Sequence, residues 1–158
     1  MLPEGFTRLY WGATGAIRGT RFEVLGRVRY GFGTGFWDEW YLLLDNGEYA
    51  WLSEDDHQLS LEQRTNARLT SALSVGSRVN VDGTTYTILE VGETVCLGIE
   101  GQVPADILPD ERYRYADGGS GDGKLTIGIE YDDEPPSVFV GERIAHEDVV
   151  LDDEGENW

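Results

Sequence analysis

The sequence predicts an all-β, mainly antiparallel protein with little helix. Three observations predict it. Leu125, Ile127, Ile129 and Tyr131 alternate strictly with small or polar residues, the period of a strand with one buried face. Asp82-Gly83 and Asn46-Gly47 each separate two strand-like runs, and such pairs suit tight hairpin loops, whose central residues need positive φ. Only Leu61–Leu73 offers helical composition, and it is short and polar.

In chain order, R-G-T-R-F-E-V-L at 18–25 opens on a glycine turn and continues as a strand. Gly31, Gly33 and Gly35 follow. A dinucleotide loop needs a strand before it, a helix after it and a differently spaced third glycine. Here the run leads into Phe36-Trp37-Asp38-Glu39-Trp40, so a turn before a wide hairpin is the better reading. With a two-residue Asn46-Gly47 loop, Leu44 faces Tyr49, Leu42 faces Trp51 and Trp40 faces Ser53. Both faces of that hairpin are apolar, so both should be covered. The same register sets Asp45 against Glu48, a repulsion that a longer loop or a bound cation would relieve.

Around Asp82-Gly83, Val81 faces Thr84 and Val79 faces Tyr86, with Val79, Val81, Tyr86 and Ile88 on the inner face. Val95, Leu97 and Ile99 alternate as a strand, and Cys96 between them packs as a small residue. Residues 117–123 read as a glycine-rich loop. Val138–Val140 form a strand after the Pro135-Pro136 break. The acidic tail from Asp152 has one ring to dock, Trp158.

R-G-T-R-F-E-V-L at 18–25 aligns without gaps on D-G-T-T-Y-T-I-L at 82–89, and A-W-L-S-E at 50–54 resembles V-F-V-G-E at 138–142 in pattern. The reading is two pseudo-repeated β units forming small barrel- or sandwich-like lobes. Residues 1–75 hold the Trp-rich hairpin and 76–158 end in the acidic tail.

Thirty acids stand against twelve bases, a net charge of −18. Such a surface repels nucleic acid and anionic lipid, which both demand basic faces, and favours cations, polyamines or a basic partner. One cysteine excludes an internal disulfide. No charged-then-apolar leader and no membrane-length apolar run is present, so the expectation is a cytoplasmic protein without membrane insertion.

The candidate partner- or ligand-binding residues are Phe36, Trp37, Asp38, Glu39 and Trp40. Exposed rings rimmed by acids can cage a cation or anchor a protein partner. His57 and His146, each beside acids, are weak metal candidates, since neither spacing fits a metal signature. Asp117, Asp122, Asp132, Asp133 and Glu134 supply hard oxygens without the calcium-loop spacing. No cofactor is expected. No serine elbow or cysteine–histidine pairing stands out, so the expectation is not an enzyme.

The blocks I-R-G-T-R-F-E-V-L-G-R-V-R-Y, W-D-E-W-Y-L-L-L-D-N-G-E-Y-A-W-L-S-E, I-E-G-Q-V-P, Y-A-D and P-P-S-V-F-V-G-E-R-I follow in order from about residue 12 to 151. Together they resemble the bacterial domain of unknown function 4178 family. Many of its members carry an N-terminal zinc-ribbon-like cysteine segment, which this sequence does not contain. The resemblance implies a genomic neighbourhood of membrane-stress proteins, small membrane proteins and polyamine-synthase-like enzymes. It carries over no catalytic residue. The resulting expectation is a non-enzymatic interaction or accessory module with a protein partner, basic or membrane-associated. The alternative is a small-cation or polyamine-binding sensor domain. Oligomeric state is open.

Overall fold

A computed structural model describes residues 7–69, 71–133 and 135–156. Trp158 and Glu134, named above, lie outside the described residues. Eleven strands form one antiparallel sheet: β1 (Thr14–Ile17), β2 (Thr20–Phe32), β3 (Gly35–Leu44), β4 (Tyr49–Asp55), β5 (Gln58–Arg64), β6 (Arg78–Val81), β7 (Thr84–Gly101), β8 (Arg112–Gly119), β9 (Leu125–Glu130), β10 (Ser137–Ile144) and β11 (Val149–Leu151). Their order is β11-β1-β2-β3-β4-β5-β10-β9-β8-β7-β6, and a further β2–β7 pairing closes β2, β3, β4, β5, β10, β9, β8 and β7 into an eight-stranded barrel. Closure removes the exposed edges of these strands.

Two hairpins feed the barrel in the same way. The β1–β2 turn holds Arg18 at φ 48 and Gly19 at φ 85, and the β6–β7 turn holds Asp82 at φ 51 and Gly83 at φ 88. Both therefore meet the positive-φ demand of a two-residue loop. The register of the second hairpin is as the sequence implies, with Val81 opposite Thr84 and Val79 opposite Tyr86. Each long strand then slips register against the strand that follows it, between Val24 and Gly26 in β2 and between Ile88 and Glu90 in β7.

The apolar faces of the barrel point largely outward, into two covering cores. Phe22, Val24, Trp40, Leu42, Ala50 and Leu52 pack under Leu9, Ala13, Ile17, Val149 and Leu151. Ile88, Ala116, Ile127, Ile129 and Val138 pack against Val81 and, beyond the strands, Ala67, Leu69 and Leu73. Chain before β1, β1 itself, β11 and the β5–β6 connection are thus the lids of these faces. A third cluster of Val28, Tyr30 and Cys96 gathers Trp37, Trp51, Ile99 and Tyr113.

Four expectations are corrected. The hairpin loop at Asn46-Gly47 has three residues: the Leu44 and Gly47 amides donate to the Glu48 and Leu44 carbonyls at 2.8 and 3.0 Å, and Gly47 takes φ 84. This is the bulged three-residue loop. It shifts the ladder by one, so Leu42 faces Ala50, Tyr41 faces Trp51 and Trp40 faces Leu52, and it removes the Asp45–Glu48 pairing. Second, Leu61–Leu73, by composition a helical turn or a linker, begins as strand: its first residues complete β5, where Leu61 pairs with Glu142 of β10, and the described residues that follow form no helix. Third, residues 117–119 belong to β8, where Asp117 faces Gly128. Fourth, the alternation through 95–99 breaks. Arg29 pairs with Gly98 and Tyr30 with Cys96, so Leu97 is bulged out and half exposed while Cys96 is completely buried.

A candidate cation site in the barrel lumen

The strands that turn their aliphatics outward turn acids and rings inward. The lumen is a cavity of about 450 Å³, within the range of small-molecule sites. Alternation along β3 sends Trp37 and Glu39 into it and turns Phe36, Asp38 and Trp40 away. β4 adds Trp51 and Ser53, β5 adds Glu62, β8 adds Tyr113, Tyr115 and Asp117, and β9 adds Gly128 and Glu130.

The rings form a connected wall. Trp37 stacks on Tyr30 at 5.3 Å, leans on Phe32 at 5.6 Å and meets Tyr115 edge to face at 5.6 Å. Tyr30 meets Tyr113 edge to face at 6.1 Å. Aromatic faces carry negative potential and attract cations.

The carboxylates influence one another. Burial pushes Glu39 well above its ordinary value, and Glu62 and Asp117 push the same way against a bond from Ser53. Glu39 Oε2 is buried and has no hydrogen-bond partner. Glu62 is raised by burial, opposed by the Thr126 hydroxyl, which donates to it at 2.8 Å. Asp117 is pushed to about 7 by burial and then by Glu62, Glu90, Asp55 and Glu130. Glu130 is pushed to about 7 by burial and then by Asp133 and Asp106, with Arg64 opposing. Asp117 and Glu130 are ringed by protein yet keep open surface. Water in the lumen therefore moderates the push.

These acids run through the lumen as a chain. Asp55 and Glu90 neighbour Asp117; Asp117, Glu39 and Glu62 neighbour one another; Glu130 carries the line on to Asp106 and Asp133. Two arginines line the same cavity. Arg143 donates to Gln58 and Arg114 pairs with Asp132 at 3.4 Å. The Tyr115 hydroxyl donates to Glu90 at 2.6 Å. Among the described residues no group of three acids, histidines or cysteines is arranged to hold a metal ion. The carboxylates come from β3, β4, β5, β7, β8 and β9, around the lumen.

The five residues singled out from the sequence thus divide between two environments. Trp37 and Glu39 line the lumen. Asp38 lies on the other face, buried, where Arg29 grips it with Nε–Oδ1 at 2.8 Å and Nη2–Oδ2 at 3.0 Å. Arg27 stands 3.7 Å from Asp38 and also pairs with Glu100. Phe36 lies under the Arg29 guanidinium at 4.0 Å, and Trp40 lies under Arg27 at 4.8 Å with its indole donating to Glu54. His57 and His146 do meet, at the surface, where the His146 ring Nε2–H donates to the His57 carbonyl. Of the scattered acids, Asp122 caps its own turn through Ser120, and Asp132 accepts from the Arg114 amide at 2.6 Å. Asp117, one of the hard-oxygen candidates of the sequence, lines the lumen; Glu62, Glu130, Tyr30, Tyr113 and Tyr115 do not stand out in the sequence. The available signal was the polar face of β9: Thr126, Gly128 and Glu130 lie opposite an apolar face that is itself covered.

Fold and site together define a closed antiparallel barrel with an acidic, ring-lined lumen. The chain belongs to the family described as Domain of unknown function (DUF4178), whose model matches residues 11–146. No curated protein and no solved structure matches it. Among the described residues, no helix is long and apolar enough to cross a membrane.

Proposed function

We propose that the barrel is a non-enzymatic binding module for a small organic cation of the polyamine class, held in the lumen. The observation that carries this reading is Glu39: a carboxylate oxygen without a partner, inside a cavity rich in acids and aromatic rings, whose two arginines, Arg114 and Arg143, are engaged with Asp132 and Gln58. An ammonium ion supplies the missing donor, and its methylenes lie against Trp37 and Tyr115. The test is calorimetric titration with spermidine at fixed ionic strength, with a neutral sugar and calcium as controls. The expected result is saturable, one-site binding of spermidine alone, weakened at least tenfold by Glu39→Gln. Equal heats from calcium and spermidine at matched ionic strength defeat the reading.

A partner-docking role has separate support. Phe36 and Leu97 are each half exposed on the outer wall and flank Gly31, where an added Cβ would lie 2.8 Å from the Leu97 side chain. In that role the module reports its ligand to a basic partner, which the chain's charge favours. Equal recovery of every host protein by wild type and Phe36→Ser removes this role.

An internal duplication fits the same picture. The two glycine-turn hairpins, the register slips after them and the four-strand runs β2–β5 and β7–β10 support descent of residues 1–75 and 76–158 from one β unit.

A further inference from the structure

We infer that the lumen exchanges protons for its cation: the empty barrel stores protons on the Glu39–Glu62–Asp117–Glu130 cluster, and an entering ammonium displaces them. The inference rests on the cation reading above and adds the stoichiometry of binding. The geometry supports it. Gly128 lies between two members, so that a Cβ built there would be 3.5 Å from Glu62 Oε1 and 3.6 Å from Asp117 Oδ1. Two carboxylates that reach one glycine of a protein-walled cavity, from β5 and β8, cannot both ionise cheaply.

The surrounding charges leave that repulsion largely unrelieved. Asp117 faces Asp55 from β4, Glu62 from β5, Glu90 from β7 and Glu130 from β9. Glu39 faces Glu62, Asp117 and Glu130, and the Tyr30 hydroxyl of β2 is raised by burial and then by Glu130 and Glu39. Glu130 faces Asp106, Asp133 and Glu62, with Arg64 of β5 as its cationic neighbour. Arg114 and Arg143 are engaged with Asp132 and Gln58. Protons are thus the counter-ions the empty lumen has within reach. When R–NH3⁺ enters, a carboxyl O–H releases H⁺ to solvent and the carboxylate accepts from the ammonium. One ammonium charge replaces each proton displaced, so that step balances, and the remaining ammonium charges of a polyamine fall on lumenal carboxylates already ionised.

The experiment is calorimetry of the full chain with spermidine near pH 7, in buffers of different ionisation enthalpy. The expected result is a buffer-dependent heat equivalent to about one proton released per ligand, with affinity rising up to about tenfold per pH unit between pH 6 and 7. Asp117→Asn is expected to reduce the number of protons released. Carboxyl carbon resonances of the ligand-free protein give an independent readout, with at least one midpoint expected between pH 6 and 8. Binding with a buffer-independent heat overturns the exchange and leaves the cation reading standing. Carboxyl midpoints all below pH 5 overturn it too. No spermidine binding at any pH from 6 to 9 overturns both.

Discussion

Trp37 and Tyr115 meet across the lumen, ring centroids 5.6 Å apart and inclined at 62°, although β3 and β8 are not neighbours in the barrel wall. A contact between separated strands narrows the interior at that level and sets two π surfaces beside Asp117 and Glu90. It also explains how a barrel with so many inward acids keeps its shape, since the Trp37 ring joins Tyr30, Phe32 and Tyr115 in one cluster. Trp37→Leu keeps apolar bulk and removes the cation-attracting face. The expected outcome is spermidine affinity about tenfold weaker, in line with the ~1–2 kcal/mol of a desolvated cation–π contact. Unchanged affinity by calorimetry excludes Trp37 from the site.

Asp38 and Glu39 are adjacent in sequence and should behave oppositely. Asp38→Ala strips Arg29 of its bidentate partner and leaves Arg27 with Glu100 alone, inside a buried environment. Removing one side of a buried ion pair costs about 3–5 kcal/mol, so urea denaturation is expected to shift well downward. Glu39→Gln instead removes a buried carboxylate that lacks a partner at Oε2. Its fold should be as stable as wild type or more so, with cation affinity at least tenfold weaker. Equal destabilisation by the two substitutions contradicts the division of this strand into a structural face and a ligand face.

The ligand-free protein should become less stable as pH rises through neutrality. Burial and neighbouring acids push Asp117 and Glu130 up towards about 7 in the fold, against about 4 in an unfolded chain. The folded state therefore holds more protons across that window. Its advantage is complete below about pH 4 and is lost as pH climbs through about 7. The carboxylates lowered by partners, Asp148 with the Ala145 amide and Glu154 with Arg8, act only below about pH 4 and do not compete there. Thermal melts at constant ionic strength should show a falling midpoint from about pH 5.5 to about pH 8, with a shallower fall in Asp117→Asn. A midpoint that rises over that range refutes the assignment.

Much of the wall was legible in the sequence, and the lumen was not. The Asp82-Gly83 hairpin and the Leu125–Tyr131 alternation depend on local φ and on period-two burial, so both carried their information in a few residues. The Asn46-Gly47 loop did not, because the same dipeptide ends a two-residue turn or a bulged three-residue one. The difference moves the ladder by one and puts Trp51 on the lumenal side with Tyr41. Leu97 shows the same limit: a bulge opposite Arg29 and Tyr30 is imposed by barrel closure between β2 and β7. The acids were misread for a topological reason. Asp117 and Glu130 occupy the polar faces of their strands, and a polar face reads as solvent-facing until the sheet is known to close. Glu39 was selected for its aromatic neighbours, and alternation then split that group.

Two glycines on the adjoining strands β8 and β9 separate wall from cavity. At Gly118 a Cβ would stand 2.1 Å from the Thr87 carbonyl oxygen, a clash only backbone movement relieves. Gly118→Ala is therefore expected to destabilise the barrel severely. At Gly128 a Cβ would meet Glu62 and Asp117 at ordinary contact distance, so Gly128→Ala should be tolerated. Gly128→Lys then delivers a tethered ammonium to the carboxylates that the proposed ligand would serve. Neutralising part of their repulsion by at least ~1 kcal/mol should raise the melting midpoint at pH 8 by about 2–4 °C for a chain of this size. The same variant should no longer bind spermidine. If Gly128→Lys melts lower than Gly128→Ala at pH 8, the lumen does not welcome an ammonium and the cation reading fails.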